Sequence, residues 1–168
     1  MAFKILSHQA ITGLSFGLTT AVITSLGMIV GLWSATSSKL AVIAGIIIMA
    51  IADGLSDAVS LHTAEEAEVE KEKIKHTKKE IWLTTLFTFL AVSSFSLTFA
   101  IPILVFPFKT AIFVAIFWGF FLLICLNLYI AKLRKEKPIK LISEHIFLAL
   151  FVILISYFIG SQIPKIVE

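Results

Sequence analysis

Residues 40–61 read LAVIAGIIIMAIADGLSDAVSL and run without a helix breaker into residues 62–72, HTAEEAEVEKE. The first part is apolar and long enough, at about 20 residues, to cross a hydrocarbon core of about 30 Å. It carries two carboxylates, Asp53 and Asp57, and five glutamates follow within eight residues: Glu65, Glu66, Glu68, Glu70 and Glu72. A carboxylate within a spanning helix is unfavourable by roughly 2.5 to 3.5 kcal/mol on insertion scales, so its default reading is functional.

Four further runs have the same character, and together they decide the fold class. The expected spans are 10–35, 40–61, 81–106, 110–131 and 141–163. An apolar content of 58% and a mean hydropathy of +1.00 exceed the roughly 45–50% apolar share of soluble domains. The expectation is a single all-α, polytopic membrane domain over 1–168 with no soluble domain. Residues 64–80 are dominated by the helix formers Ala, Glu and Lys, so 62–80 should extend the second helix into the cytoplasm. The first run, rich in Ser, Thr and Gly, has no small-residue cleavage site and reads as a retained helix.

The net charge of +3 matters less than its distribution. Eleven basic residues (Lys4; Lys71, Lys73, Lys75, Lys78 and Lys79; Lys132, Arg134, Lys135, Lys137 and Lys140) fall on one side of a five-span topology, against Lys39, Lys109 and Lys165 on the other. The positive-inside rule then puts the N-terminus in the cytoplasm and the C-terminus outside, as in the cell membrane of a prokaryote. Lysines that flank spans, without interleaved aromatics, exclude a nucleic-acid partner.

Residues three or four apart share a helix face. Following this rule from Met49 gives Asp53, Asp57, Leu61, Glu65, Glu68 and Glu72. With a rise of about 1.5 Å per residue, Asp53 and Asp57 lie about 12 and 6 Å below the cytoplasmic surface, where a lone carboxylate would take up a proton that a divalent cation could displace. Carboxylate oxygens with the softer thioether of Met49 favour ferrous or manganous ions over calcium or magnesium; packing is the alternative role for Met49. His62, on a neighbouring face with Glu66 and Glu70, could add imidazole, but ligands on one straight helix do not close a coordination shell without a second helix or subunit. For the glutamates, the alternative is a solvated helix with Glu68–Lys71, Glu70–Lys73 and Glu72–Lys75 pairs, each contributing about 0.2–0.5 kcal/mol.

Elsewhere the chain offers packing signals. Gly13, Gly17, Ala21 and Ser25 form a small-residue face in the first span, repeated by Gly27 and Gly31, suited either to another span or to a second copy of the chain. Hydroxyls of Thr12, Ser15, Thr19, Thr20, Thr24 and Ser25 can mostly bond back to their own helix, and some could line a hydrated path. Pro102 and Pro107 mark the outer end of the third span. Phe113, Phe117, Phe120, Phe121, Asn127 and Tyr129 read as packing and interface residues, and Cys125 as a small buried hydrophobe. Glu144 and His145 open the fifth span, either solvated or near an ion path.

The second span and its acidic continuation resemble the vacuolar iron transporter family, whose second span reads like S-M-G-x-G-E-Y-x-S. Here Ala52-Asp53-Gly54-Leu55-Ser56-Asp57-Ala58-Val59-Ser60 aligns Asp57 with the family's glutamate, Gly54 and Ser60 with identical residues, and Asp53 with a methionine. Gly13-Leu14-Ser15-Phe16-Gly17-Leu18 is similar to the family's G-x-N-D-G-L, with Phe16 where the family has a metal-binding aspartate; Asp53 would compensate by moving a carboxylate to the second span. Longer members carry a multi-helix metal-binding domain, of which Glu65, Glu66, Glu68, Glu70 and Glu72 match the first helix. The resemblance implies a homodimer with the ion path between subunits.

The expected function is a proton-coupled antiporter that moves iron or manganese out of the cytosol. Its metal ligands would be Met49, Asp53, Asp57, His62, Glu65, Glu66, Glu68, Glu70 and Glu72, with metal as cargo and no prosthetic group. A non-transporting metal sensor or assembly protein is the alternative. The Asp53-Gly54 pair also invites comparison with membrane phosphotransferases acting on CDP-alcohols, but Ser56-Asp57 stands where they need Ala-Arg, and no aspartate follows Asp57. No enzyme activity or catalytic residue is therefore expected.

Overall fold

The computed structural model describes residues 8–72 and 77–167, with the side chains of 68–72 outside the description. Every regular element among the described residues is a helix: α1 (His8–Thr36), α2 (Lys39–Glu72), α3 (Lys78–Thr98), α4 (Ala100–Val105), α5 (Phe108–Arg134) and α6 (Pro138–Val167). Five segments are long and apolar enough to cross a membrane: α1, α2 as far as Ala67, α3 with α4, α5 and α6.

The boundaries follow local chemistry. Ser37, at φ 49, turns the chain after α1, and the Ser38 hydroxyl accepts the Ala41 N–H at 3.2 Å as α2 begins. At the other end α2 runs helically to Glu72, about three turns beyond Leu61. The expected extension over 62–80 divides here, because Thr77 caps a new helix. Its hydroxyl accepts the Glu80 N–H at 3.3 Å while the Glu80 carboxylate accepts the Thr77 N–H at 2.7 Å, a capping box. Lys78–Glu80 are thus the first turn of α3.

The third span is likewise two helices. Pro102 lacks an N–H and its ring crowds the carbonyl four residues earlier, that of Thr98, where α3 ends. Trp118 of α5 donates its indole N–H to the Thr98 hydroxyl at 2.9 Å and holds the break in place.

α1 lies at the centre, packed on α2, α3, α5 and α6. A methyl group on Gly13 would meet the Thr84 carbonyl at 2.6 Å, and one on Gly17 the Ala91 methyl at 2.7 Å, so α1 and α3 run parallel in close contact. Further along, Gly27 faces Val152 and Gly31 faces Ser156, which makes α6 parallel to α1 as well. The small-residue face of α1 is therefore filled within the chain, by α3 at one end and α6 at the other. With α1 and α6 parallel, the start of α1 and the end of α6 lie at opposite ends of the bundle.

Val22, Leu26, Ile29, Val42, Ile46, Phe99, Ile103, Ile112 and Leu123 form the core. The periphery carries exposed Phe, Leu and Ile on α2, α5 and α6, Phe113, Phe117 and Phe121 among them. Such continuous apolar surface calls for apolar surroundings or partners. Cys125 belongs to this periphery: it is exposed, not the small buried hydrophobe expected, because it falls on the outer side of α5.

Candidate functional site

Two adjacent faces of α2 do different work. Ile46, Ala50, Gly54 and Ala58 form a fully buried ridge at four-residue steps. This ridge packs on α3: Ser93 donates to the Ala50 carbonyl at 2.8 Å, and a methyl group on Gly54 would meet the Ser93 hydroxyl at 2.7 Å. One position round the helix, Met49, Asp53, Asp57, Leu61 and Glu65 form a half-buried row. The row predicted from Met49 exists as far as Glu65; Glu68, Glu70 and Glu72, with their proposed lysine pairs, lie outside the described side chains.

Asp53 and Asp57 meet hydroxyls of α1. The Thr24 hydroxyl donates to Asp53 Oδ2 at 2.9 Å, and Thr20 lies within hydrogen-bonding reach of Asp57. Successive turns of α2 thus pair with successive turns of an antiparallel α1. The two carboxyl groups are near enough to act on each other electrostatically. Asp57 Oδ2 is buried with no hydrogen-bond donor. A buried carboxylate oxygen without a donor is strongly unfavourable, so the site calls for a proton or a cation.

Thr24 lies equally close to a second acceptor, the Thr20 carbonyl, at 2.8 Å. Its one proton cannot serve both. When Asp53 is ionised the proton goes to the carboxylate; when Asp53 is protonated, the acid can donate to Thr24, whose proton then returns to its own helix. The hydroxyl suits both states of the acid.

Phe16, on the same flank of α1, is one turn from Thr20, which bonds to the Phe16 carbonyl at 2.7 Å. Its ring is 38% exposed and faces outward. Asp53 pairs two turns further along α1, with Thr24, so its carboxylate does not fall at the level of Phe16.

His62 continues the buried ridge and is separated from the aspartates. Its Nδ1 lies 2.8 Å from the Thr85 hydroxyl of α3, its Nε2 3.5 Å from Glu66 Oε1, and its ring 4.6 Å from that of Trp82. The predicted ligands are therefore divided between an α1-facing pair and an α3-facing pair. Among the described residues, no group of three or more His, Cys, Asp or Glu side chains comes together as a metal site. Glu144 is exposed and His145 bonds to the Leu141 carbonyl at 2.9 Å, on a helix that packs on α1 and α5.

Two polar residues escaped sequence reasoning. Ser93 and Thr85, unremarkable threonine-and-serine positions in an apolar run, become visible only once α3 is laid antiparallel to α2. Asn127, expected among packing and interface residues, is fully buried, donating to the Leu123 carbonyl at 2.8 Å with its own Oδ1 unpartnered.

The chain is 27% identical over 142 residues to an uncharacterized protein of Methanocaldococcus jannaschii, a match covering 73% of this chain and 74% of the other. No family model matches the chain. No solved structure matches it either.

Proposed function

We propose that the protein is a membrane-embedded transporter of divalent transition metal, iron or manganese, that exchanges the ion for protons at Asp53 and Asp57. The observation that carries this reading is the buried, donorless Oδ2 of Asp57 beside a second carboxyl group, with threonine hydroxyls as neighbours. Such a pair favours a cation or a proton and gains little from holding both at once. Hard oxygen ligands suit manganous and ferrous ions, and the likeness of residues 52–60 to the second span of the vacuolar iron transporters supports the same cargo.

Two carboxylates cannot complete a coordination shell. A second copy of the chain, docked on the open α1–α2 flank, would supply the missing ligands and cover Asp53, Asp57 and Phe16. The basic residues 71–79 and 132–140 favour a cytoplasmic location for that end of the bundle, with export from the cytosol as the direction and the acidic end of α2 collecting metal.

Reconstituted in liposomes, the protein should give proton movement dependent on manganous ion. Asp53→Asn with Asp57→Asn should abolish it at unchanged folding; wild-type flux in that double variant refutes the exchange site. Metal binding with no flux in the wild type would favour a sensor.

A further inference from the structure

α3 and α5 both pack on α1, yet they make little contact with each other. They meet where Trp118 reaches Thr98 and part toward the end of the bundle at which α1 and α3 begin. The result is a half-open cleft of about 210 Å³, floored by Ile11, Leu14 and Leu18 of α1 and walled by Phe95 of α3 and by Leu126 and Tyr129 of α5. Its walls show almost nothing polar. A water molecule there would lack the several partners it needs, so the cleft suits an apolar occupant.

Basic residues of two helices gather beyond its end. Gly13 lies against Thr84 and Thr88, and Gly17 against Thr88 and Val92, so α1 and α3 advance in step. His8, which opens α1, is then level with the opening of α3, where Lys79 stands. α5 runs the other way, with Leu26 against Gly119, and brings Lys132, one turn beyond Tyr129, to the same end. Lys79 and Lys132 are exposed, and neither enters an ion pair among the described residues. The nearby charges are engaged: Arg134 pairs with Glu136 at 3.2 Å, and Glu80 accepts the Thr77 N–H at 2.7 Å.

We propose that this cleft binds an anionic phospholipid, with one acyl chain between α3 and α5 and the phosphate held by Lys79 and Lys132. A basic rim between spanning helices is the chemistry that selects an acidic headgroup over a zwitterionic one. The charge distribution favours the cytoplasm for this end, and the cytoplasmic leaflet is where acidic lipids concentrate. Tyr129, half-buried between the apolar walls and Lys132, stands where an aromatic ring bridges chain and headgroup. The inference rests on five helices long and apolar enough to span a membrane and not on transport, so it holds equally for a sensor.

Native mass spectrometry of the detergent-purified protein tests it, with phosphatidylglycerol and phosphatidylcholine of identical acyl chains as probes. One phosphatidylglycerol per chain should bind in preference to phosphatidylcholine. Lys79→Gln with Lys132→Gln should weaken it about 25-fold, about fivefold per lysine, and remove the preference. Lys137→Gln with Lys140→Gln, an equal charge loss on α6, should leave it near wild type. Ser15 also lines the cleft, and Ser15→Phe, which fills it and leaves the rim intact, should reduce binding of both lipids at unchanged helicity. Equal binding of the two lipids by the wild type overturns the site, as does equal loss in the two lysine pairs or full binding in the Ser15 variant. Displacement by inorganic phosphate at matched concentration would leave an anion site without a chain, and also overturns it. So does a lipid-free dimer that cross-links through Leu126→Cys in a chain with Cys125 changed to Ala, since a second copy then fills the cleft. Manganese-dependent flux is read separately, and its absence removes the transport reading alone.

Discussion

At the scale of single residues, the consequential group is the Thr24 hydroxyl, because it joins a carboxylate of one helix to the backbone of another. A hydrogen bond to an ionised group contributes about 1.5–3 kcal/mol, more than one between neutral groups. Thr24→Val keeps the shape and removes the bond to Asp53. Metal-dependent flux in liposomes should fall about tenfold or more, while Thr24→Ser stays near wild type. If valine and serine behave alike, the hydroxyl has no part in holding Asp53. Asp53 itself could be singled out from sequence, since a carboxylate in an apolar run is conspicuous. Its partner could not be. Thr19, Thr20 and Thr24 look equivalent along the chain, and only the antiparallel register with α2 selects Thr20 and Thr24 for the acids, leaving Thr19 bonded to the Ser15 carbonyl at 2.9 Å.

At the scale of elements, α2 is a helix with two working faces, and periodicity alone found one of them. The four-residue rule correctly grouped Met49, Asp53, Asp57 and Glu65, because those positions share a direction from the axis whatever packs there. The same rule also placed His62 apart, but could not say that α3 would fill that side, since nothing in residues 81–93 marks Thr85 or Ser93. Pro107 follows the last turn of the third span as expected, whereas Pro102, expected at its outer end, lies inside α4 beyond a break at Phe99. Thr77 was missed as a cap because the residues around it, rich in Lys and Glu, continue a helical composition through it. Contacts between parallel helices give a sharper test. Gly160 lies against the Gly31 carbonyl and the Ser34 hydroxyl, whereas a methyl group on Gly31 would make ordinary contact with Ser156 at 3.7 Å. Gly160→Ala should therefore destabilise the fold by about 1–3 kcal/mol, and Gly31→Ala should be nearly neutral, as read from unfolding in detergent. A reversed order would mean that α1 and α6 do not cross where the structure puts them.

At the scale of the molecule, the acid-bearing flank of α1 and α2 stands out because it is polar and half-open on a periphery otherwise lined by exposed Ile48, Ile51, Leu55 and Val59. The small-residue face of α1 is occupied by α3 and α6, so the dimer of the proposed function would dock on this flank instead. Replacing Phe16 by Cys in a chain with Cys125 changed to Ala should give a disulfide-linked dimer in membranes on mild oxidation. A cysteine at Phe117, exposed on α5, should not. Equal cross-linking at both positions would make contact at Phe16 a collision and not an interface.

The central place of α1 also bears on the order in which the protein is made. Of the helices described, α1 precedes the others in the chain, yet the surfaces that cover it come from α2, then α3 and α5, and then α6, whose Gly160 fits the cleft beside Gly31 and Ser34. The first of the described helices is thus the last of them to be fully enclosed. Until α6 arrives, the stretch of α1 from Gly27 to Gly31 stands open to whatever chaperone, lipid or sister chain is nearby. Nascent chains halted before Pro138 should accordingly be far more sensitive to proteolysis within α1 than the finished protein.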